Sequence, residues 1–286
     1  MMPAVDTVTF TPPSEPFRAE IDVPGDKSLS HRALVLAGMA QGTSRVTGTG
    51  TGEDVAAMLG ALERLGVEFS RDRVVSPGVG AWSRPDGPLD LANSGTALRL
   101  LAGALAAQPH RISLIGDPSL SRRPMRRLVG PLGALGVEIT TSPDGTPPVE
   151  TGGGRIHGAE VRLDLPSAQV RSAFALAAVQ GEGAATIDSP AGFRDHTERW
   201  LGNLGLGRWT SRTRFEIQPG AVPPGEYAVP RDPSSAAFLW AAAALSPGSR
   251  AVTRAVSLNP GRIGFLDVLE QMGARVDRRV TRMVMG

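Results

Sequence analysis

Three stretches of the chain place hydroxyl, amide and cationic side chains just before runs of small apolar residues. Such runs are typical of buried helices, whose N-termini bind anions through free backbone N–H groups and the positive end of the helix dipole. Two further cations, Arg122 and Arg123, precede Pro124, which predicts a helix start with proline at its first position. The chemistry predicted is the binding of a multiply anionic small molecule. The three stretches contain Lys27, Ser28 and Arg32; Asn93, Gly95 and Thr96; and Ser167, Ala168 and Gln169.

Ordinary helix capping is the alternative explanation for these polar residues, because Ser, Asn and Asp are the favoured N-cap residues. Any one stretch alone would indicate only that a helix begins there. Three stretches at equivalent points, two of them with cations, favour a shared ligand.

Lys27 stands out because it is the single lysine among 30 basic residues, the other 29 being arginine. Arginine is a rigid fork that does not release its proton, whereas lysine is a compact charge with a movable proton. A compositional accident would also leave one lysine. The functional interpretation is that this position needs an ammonium group.

Several classes of protein are excluded by composition. The chain lacks cysteine, which excludes a disulfide scaffold and a thiolate zinc site, and neither His31 nor His196 has a second metal-ligand residue at suitable spacing. We therefore expect no metal and no cofactor. A net charge of +2, one tyrosine and no long apolar run predict no nucleic-acid or membrane partner. The N-terminal sequence has no export signal, which favours the cytoplasm.

The elements that would position these residues repeat along the chain. Four similar segments begin at Ser28, Ser94, Ser167 and Ser234, at spacings of 66, 73 and 67 residues. Each is followed by a second helical pattern, beginning at Glu53, Arg122, Arg194 and Gly261. The unit of about 70 residues predicts an α/β fold with two helices per unit, each followed by a strand. The first helix of each unit is expected to be buried on all sides and the second to have one solvated face.

Gly136 and Gly273 are predicted to end helices that lead into strands at residues 137–140 and 274–276. If three units associate around a pseudo-threefold axis, the fourth begins a second domain. The domains expected are residues 23–228, complete, and residues 229–286, incomplete, with residues 1–22 as the start of a split second domain. The repeat count alone predicts that the chain is C-terminally truncated.

At these same positions the sequence resembles a known family. The matching stretches are PGDKSLSHRALVLAGMAQGTS, ANSGTALRLLAG, GDPSLSRRPMRRLVGPLGALGV, PSAQVRSAFALA, RDHTERWL, DPSSAAFLWAAA and NPGRIGFLDVLEQMGA. They occur in family order, and in combination they are specific to the 5-enolpyruvylshikimate-3-phosphate (EPSP) synthases, also called 3-phosphoshikimate 1-carboxyvinyltransferases.

The resemblance implies the enolpyruvyl transferase-like inside-out α/β fold, in which two pseudo-threefold domains each contain three βαβαββ units. Six such units would make a chain of about 420 residues. The implied reaction transfers the enolpyruvyl group of phosphoenolpyruvate to the 5-hydroxyl of shikimate 3-phosphate and releases phosphate through a tetrahedral intermediate. The two small-molecule substrates are the expected partners, and a monomer is expected for a complete chain.

The resemblance also implies roles for individual residues. Lys27 matches a lysine that touches both substrates and is the catalytic candidate, and Arg99 matches a supporting position. The expected shikimate 3-phosphate contacts are Lys27, Ser28, Arg32, Ser167, Ala168 and Gln169. The expected phosphoenolpyruvate contacts are Lys27, Asn93, Gly95, Thr96 and Arg123.

The chain departs from the family pattern at two positions. Phe193 stands where Ser or Thr is usual, which puts one shikimate-phosphate contact in question. Arg231 stands where Gly is usual, near the expected hinge between domains. The family's aspartate acid/base and several late cationic residues match nothing in these 286 residues.

Two other functions compete with this one. The first is a catalytically inactive module that only binds shikimate 3-phosphate. The second is the related transferase that acts on a UDP-sugar. That enzyme would be expected to show Lys-Asn where Lys27-Ser28 stands, and usually a loop cysteine, and this chain has neither.

Overall fold

The computed structural model of the chain describes residues 15–284. The helices within that range are α1 Lys27–Met39, α2 Glu53–Arg64, α3 Gly95–Ala104, α4 Val129–Ala134, α5 Ala168–Ala178, α6 His196–Asn203, α7 Pro233–Leu245 and α8 Gly264–Gln271. The strands are β1 Arg18–Glu20, β2 Gln41–Thr47, β3 Glu68–Ser70, β4 Arg73–Pro77, β5 Leu89–Asp90, β6 Ile112–Ile115, β7 Val149–Thr151, β8 Glu160–Arg162, β9 Ala185–Asp188, β10 Gly207–Trp209, β11 Phe215–Ile217, β12 Glu226–Ala228 and β13 Arg250–Val252.

Three buried helices form the centre of the fold. α3 packs against both α1 and α5, Arg32 of α1 donates to Ser172 of α5, and most residues of the three helices are buried. Their sequences carry few charges, so every face can be buried in apolar surroundings. Three sheets surround them, with strand orders β12-β2-β4-β3, β5-β6-β7 and β10-β11-β9-β8. The expected α/β class and its repeated units are therefore confirmed.

The repeat predicts the central helices to within one residue. α1, α3, α5 and α7 begin at Lys27, Gly95, Ala168 and Pro233, beside the serines that mark the repeat. Gly136 and Gly273 follow α4 and α8 with φ angles of 86° and 97°, a left-handed conformation that favours glycine after a helix end. Both helix ends lie where the sequence predicts them.

Each unit pairs the strand after its first helix with a parallel neighbour. In the second and third units that neighbour directly precedes the helix, giving β5-α3-β6 and β8-α5-β9. In the other two it comes from a distant part of the chain, because β12 pairs with β2 and β1 pairs with β13. The first unit is thus completed by a strand more than 170 residues later in the chain.

Three details of the sequence prediction are wrong. The helix predicted from Arg122 begins instead at Val129, because Arg123 adopts φ −83° and ψ 138°, the extended conformation favoured before proline. Residues 137–140 form only an isolated bridge between Thr140 and Glu150, and residues 274–276 form no strand. The third wrong detail is the burial of α7, which was expected to be covered on all sides. Only its Pro233 and Ala236 are buried, while Phe238 and Leu245 are each 80% exposed. Its apolar composition alone did not distinguish a covered helix from an uncovered one.

The chain enters residues 27–228 through the segment before Lys27 and leaves them through the segment after Ala228. These two crossing segments run side by side. The Asp26 amide donates to Pro230 O at 2.8 Å, and the Asp232 amide donates to Pro24 O at 2.9 Å. Arg231 donates to Val23 O at 2.6 Å and to the Asp22 carboxylate at 2.9 Å. Arg231, on the later of the two segments, therefore binds the earlier one directly.

Arg262 reinforces this junction from the loop before α8. Its guanidinium donates to Asp26 and to Asp232, each at 2.9 Å, and only 4% of its side chain is exposed. Asp26 caps α1 and Asp232 caps α7, so a single cation joins two helix N-caps. Burial raises the pKa of Asp26, and the Arg262 charge opposes that rise.

Candidate active site

The N-termini of α1, α3 and α5 converge on a cleft of about 280 Å³. Six of the ten residues that the sequence predicts to bind substrate line it: Ser28, Arg32, Thr96, Ser167, Ala168 and Gln169. The rest of the lining comes from Pro166, directly before the α5 cap Ser167, and from the segment at the start of α6: Gly192, Phe193, Arg194 and His196. Helix N-termini and cations thus face the same space, as an anionic ligand requires.

Arg32 is held rigidly at one wall of the cleft. Its Nε donates to Thr197 Oγ1 at 2.7 Å, and its Nη2 donates to Ser172 Oγ at 2.8 Å. A third bond runs from Nη1 to Ser28 O at 2.8 Å. Burial lowers the pKa of Arg32 to about 10, so the group is still charged at neutral pH. Helices α1, α5 and α6 together position this cation.

Gln169 connects α5 to α3. Its amide nitrogen donates to Thr96 Oγ1 at 2.9 Å, and its amide oxygen accepts a bond from Arg99 Nη1 at 2.8 Å. Arg99 also donates to Gly95 O at 3.0 Å and Pro124 O at 3.2 Å. Burial, together with Arg127 and Arg123 nearby, lowers the pKa of Arg99 to about 10. Arg99 therefore orients Gln169 at the cleft.

Asn93, Gly95 and Arg123 form a second group beside the cleft. Arg123 donates to the Asn93 side-chain oxygen, and the Asn93 amide nitrogen donates to Asp117 at 2.8 Å. Gly95 lies against two guanidinium groups: an added Cβ would lie 2.8 Å from Arg99 Nη1 and 3.3 Å from Arg123 Nη1. A side chain here would displace cations, so glycine keeps this approach open.

Lys27 lies at the exposed start of α1 and does not line the cleft. Its ammonium donates to Asp54 of α2 at 2.5 Å, and 54% of its side chain remains exposed. His31 fixes the adjacent backbone, because its Nδ1 contacts Lys27 O at 2.7 Å and its Nε2 contacts Ser94 Oγ at 3.1 Å. α1 and α3 are thereby joined at the point where their N-termini meet.

Arginines without acidic partners lie in and beside this cleft. Within residues 15–284, Arg32, Arg99, Arg123 and Arg194 form no ion pair with an acidic side chain. A larger cleft of about 330 Å³ beside α6 is different, because its cations Arg199 and Arg208 pair with Asp195 and Glu216. The smaller cleft is therefore the better anion site.

Sequence reasoning missed several residues here. Arg194 and His196 line the cleft, and the only sequence signal was their place next to a helix start.

Phe193 lies over the buried Arg171 guanidinium, 4.0 Å from ring centroid to Cζ, and stacks with Trp209 at 6.2 Å. The Ser94 and Ser167 hydroxyls cap α3 and α5, so capping explains part of the pattern as well.

No group of three or more metal-binding side chains occurs in residues 15–284. Among the helices of that range, none is long and apolar enough to cross a membrane.

The family model for EPSP synthase (3-phosphoshikimate 1-carboxyvinyltransferase) matches residues 12–285. The 3-phosphoshikimate 1-carboxyvinyltransferase of Limosilactobacillus fermentum is 43% identical over 94% of this chain and 64% of its own length. That of Methylococcus capsulatus is 41% identical over 98% of this chain and 66% of its own. The EPSP synthase structure from Acinetobacter baumannii is 38% identical, with a TM-score of 0.87 over 96% of this chain and 63% of that one.

These similarities define a family of transferases, whose α/β fold this chain shares. The chain belongs to the EPSP synthase family. It spans slightly less than two thirds of the length of the curated relatives named above.

Proposed function

We propose that this protein transfers the enolpyruvyl group of phosphoenolpyruvate to the 5-hydroxyl of shikimate 3-phosphate, with release of phosphate. The observation that carries the proposal is the cleft at three helix N-termini, lined by Arg32 and Arg194 without acidic partners. A phosphorylated carboxylate suits such a site, because bonds between cations and anionic oxygens are about twice as strong as neutral ones.

The proposed binding residues form two sets, one for each substrate. Lys27, Ser28, Arg32, Ser167, Ala168 and Gln169 are proposed to bind shikimate 3-phosphate. Lys27, Asn93, Gly95, Thr96 and Arg123 are proposed to bind phosphoenolpyruvate. Thr96 and Gln169, joined by a 2.9 Å bond, lie where the two sets meet.

Lys27 is the proposed catalytic residue. Its ammonium is exposed at the start of α1 and is held by Asp54, so it can turn towards a ligand without leaving a buried charge behind. An ammonium near both substrates would neutralise the negative charge that develops as phosphate leaves. The Arg32 guanidinium, fixed by three hydrogen bonds, serves to bind rather than to move a proton.

The division of the chain follows the paired crossings. Residues 23–228 are proposed as a complete three-unit domain, and residues 229–286 as the first unit of a second domain that begins within residues 1–22. Support comes from β1, which pairs with β13 rather than with a strand of the first domain. Residues 1–14 of this division lie outside the described part of the chain. A cytoplasmic location completes the proposal.

Titration calorimetry with shikimate 3-phosphate tests the binding half. We expect saturable binding that Arg32→Met weakens at least tenfold, because a buried charge-assisted bond contributes about 1.5–3 kcal/mol. Arg73→Met, on the exposed surface of β4, is the matched control and should bind normally.

Phosphate release on adding phosphoenolpyruvate tests the transfer half. Turnover by the 286-residue chain supports the full proposal. Saturable binding without turnover identifies a module that binds shikimate 3-phosphate only. Absence of saturable binding by the folded protein refutes the proposed ligand.

A further inference from the structure

His196, the first residue of α6, lines the cleft and is held by a residue from the far end of the chain. Asn259 lies in the loop after β13, and its side-chain oxygen accepts a bond from the Gly261 amide at 2.8 Å. That bond fixes the orientation of the Asn259 amide, because a backbone N–H can only donate. The other end of the amide is therefore its nitrogen, a donor of two hydrogens.

Both hydrogens of that nitrogen have acceptors. One is the Asp195 carboxylate, at 2.9 Å, and the other is Nδ1 of His196, at 3.3 Å. Since an amide nitrogen cannot accept, Nδ1 must be the unprotonated nitrogen of the ring. The proton of a neutral His196 must then lie on Nε2.

The N–H group at Nε2 has no acceptor in the described part of the chain, and the Nε2 atom is buried. The residue is 3% exposed and is one of those that line the cleft, together with Arg32 and Arg194. A buried N–H without an acceptor is destabilising, because it has lost its hydrogen bonds to water without replacement. An acceptor supplied by a ligand would remove that cost.

The charges around the ring keep it neutral. Arg32, Arg262 and Arg194 are its cationic neighbours and Asp195 its acidic one, and burial with this excess of positive charge lowers the pKa of His196 to about 3. The imidazole therefore contributes a hydrogen bond rather than a positive charge at neutral pH.

We propose that His196 binds the ligand of the cleft by donating Nε2–H to one of its oxygens, and that Asn259 holds the ring in the tautomer that makes this possible. The inference rests on the proposed ligand, shikimate 3-phosphate. It assigns Asn259, from the proposed second domain, as a positioning residue for a site built mainly from the first.

The tautomer is tested without any ligand. Long-range ¹H–¹⁵N spectra of ¹⁵N-histidine-labelled protein distinguish Nε2–H, Nδ1–H and imidazolium forms, and His196→Gln identifies the resonance. We expect the Nε2–H form at neutral pH. Asn259→Asp replaces the donor with an acceptor and should convert the ring to the Nδ1–H form or to imidazolium. An Nδ1–H ring in the unsubstituted protein would overturn the inference.

Ligand contact is tested by titrating the same sample with shikimate 3-phosphate. The Nε2 resonance of His196 should shift on saturation, whereas that of the exposed His157 should not. His196→Leu should weaken binding by about tenfold or more, as expected for a bond to a charged group. His196→Gln, whose amide nitrogen can replace the Nε2 donor, should restore most of the affinity, and His157→Gln should bind normally.

The outcomes separate this inference from the proposed function. If the unsubstituted protein does not bind shikimate 3-phosphate, the proposed function fails while the tautomer result still stands. If it binds but the Nε2 resonance is unmoved, or His196→Leu binds with unchanged affinity, the role of His196 is wrong. A His196→Leu protein with a lower melting temperature and no rescue by His196→Gln would show a structural role only.

Discussion

Two cations at the start of α1 differ sharply in environment. Arg32 is 3% exposed and has three internal hydrogen-bond acceptors, whereas Lys27 is exposed and has one carboxylate partner. The sequence predicted both as ligand contacts but could not predict this difference, because burial depends on what packs against the helix. Asp54 was also missed, since its contact with Lys27 spans 27 residues.

Lys27→Arg tests the need for an ammonium. The substitution keeps the charge and can keep the pair with Asp54, but the planar fork cannot replace a compact donor between two ligands. We expect binding of shikimate 3-phosphate or turnover to fall more than tenfold, at least about 1.4 kcal/mol. The measurement is calorimetry, with Arg18→Lys on β1 as control. Unchanged affinity and turnover would make the lone lysine an accident of composition.

His196 also predicts how stability changes with pH. Its pKa is about 3 when folded, against an ordinary 6.5, so the unfolded chain binds the proton that the folded protein rejects. The stability that neutral His196 contributes is fully present above pH 6.5. It is lost on acidification, when the free energy of unfolding falls by up to about 1.4 kcal/mol per pH unit. Denaturant unfolding between pH 4.5 and 7 gives the free energy of unfolding as a function of pH. Its slope should be smaller for His196→Gln than for the unsubstituted protein, because unfolding of the variant takes up about one proton less. Parallel pH profiles for the two proteins would contradict this.

At the scale of elements, a buried ion pair joins α5 to α6. Arg171 Nε donates to Glu198 at 2.6 Å, both side chains are fully buried, and Phe193 covers the guanidinium. Burial raises the pKa of Glu198, and the Arg171 charge opposes that rise. The pair supports the wall that carries Arg194 and His196, and it explains how a phenylalanine is accommodated where a hydroxyl was expected.

Glu198→Ala leaves Arg171 buried without its counter-charge. Removing one partner of a buried pair costs about 3–5 kcal/mol, so the free energy of unfolding should fall by that amount. Arg155→Ala is the matched control, since the Arg155–Glu182 pair has the same 2.6 Å separation but is exposed. Denaturant titration should find a large loss for the first variant and little change for the second. Equal losses would contradict the role of burial.

The starts of the central helices were predictable because a hydroxyl or carboxylate cap precedes a long apolar run each time. α4 was not, because Arg123 and Pro124 delay it and its two glycines weaken it. The strands expected at residues 137–140 and 274–276 were also not predictable from local sequence. A β-branched sequence after a helix predicts a strand only where a neighbouring strand is available.

At the scale of the molecule, the repeat length predicted the number of units but not how the sheets are completed. The pairing of β12 with β2 and of β1 with β13 joins segments with no local signal between them. α7 shows the same limit, because its sequence resembles α1, α3 and α5 while most of its surface is exposed. Tertiary neighbours, rather than composition, decide burial.

The exposed face of α7 predicts self-association. Phe238 and Leu245 are each 80% exposed and lie on one apolar helix, and contiguous apolar surface drives association in water. Sedimentation velocity over a range of concentrations should show oligomers that diminish in Phe238→Ser. Leu165→Ser, at an exposed leucine outside α7, is the control and should leave them unchanged. A monomer at all concentrations would contradict this expectation.

The pairing of β1 with β13 also sets an order of events on the ribosome. Phe17 donates to Ser249 Oγ, 232 positions later in the chain. Residues 15–22 therefore leave the ribosome long before their partner exists, while the units of residues 27–228 can already collapse on their own contacts. At about 5–20 residues per second, the first strand waits on the order of ten seconds or more without its sheet neighbour. Throughout that interval it is an unpaired edge open to chaperones or to another nascent chain.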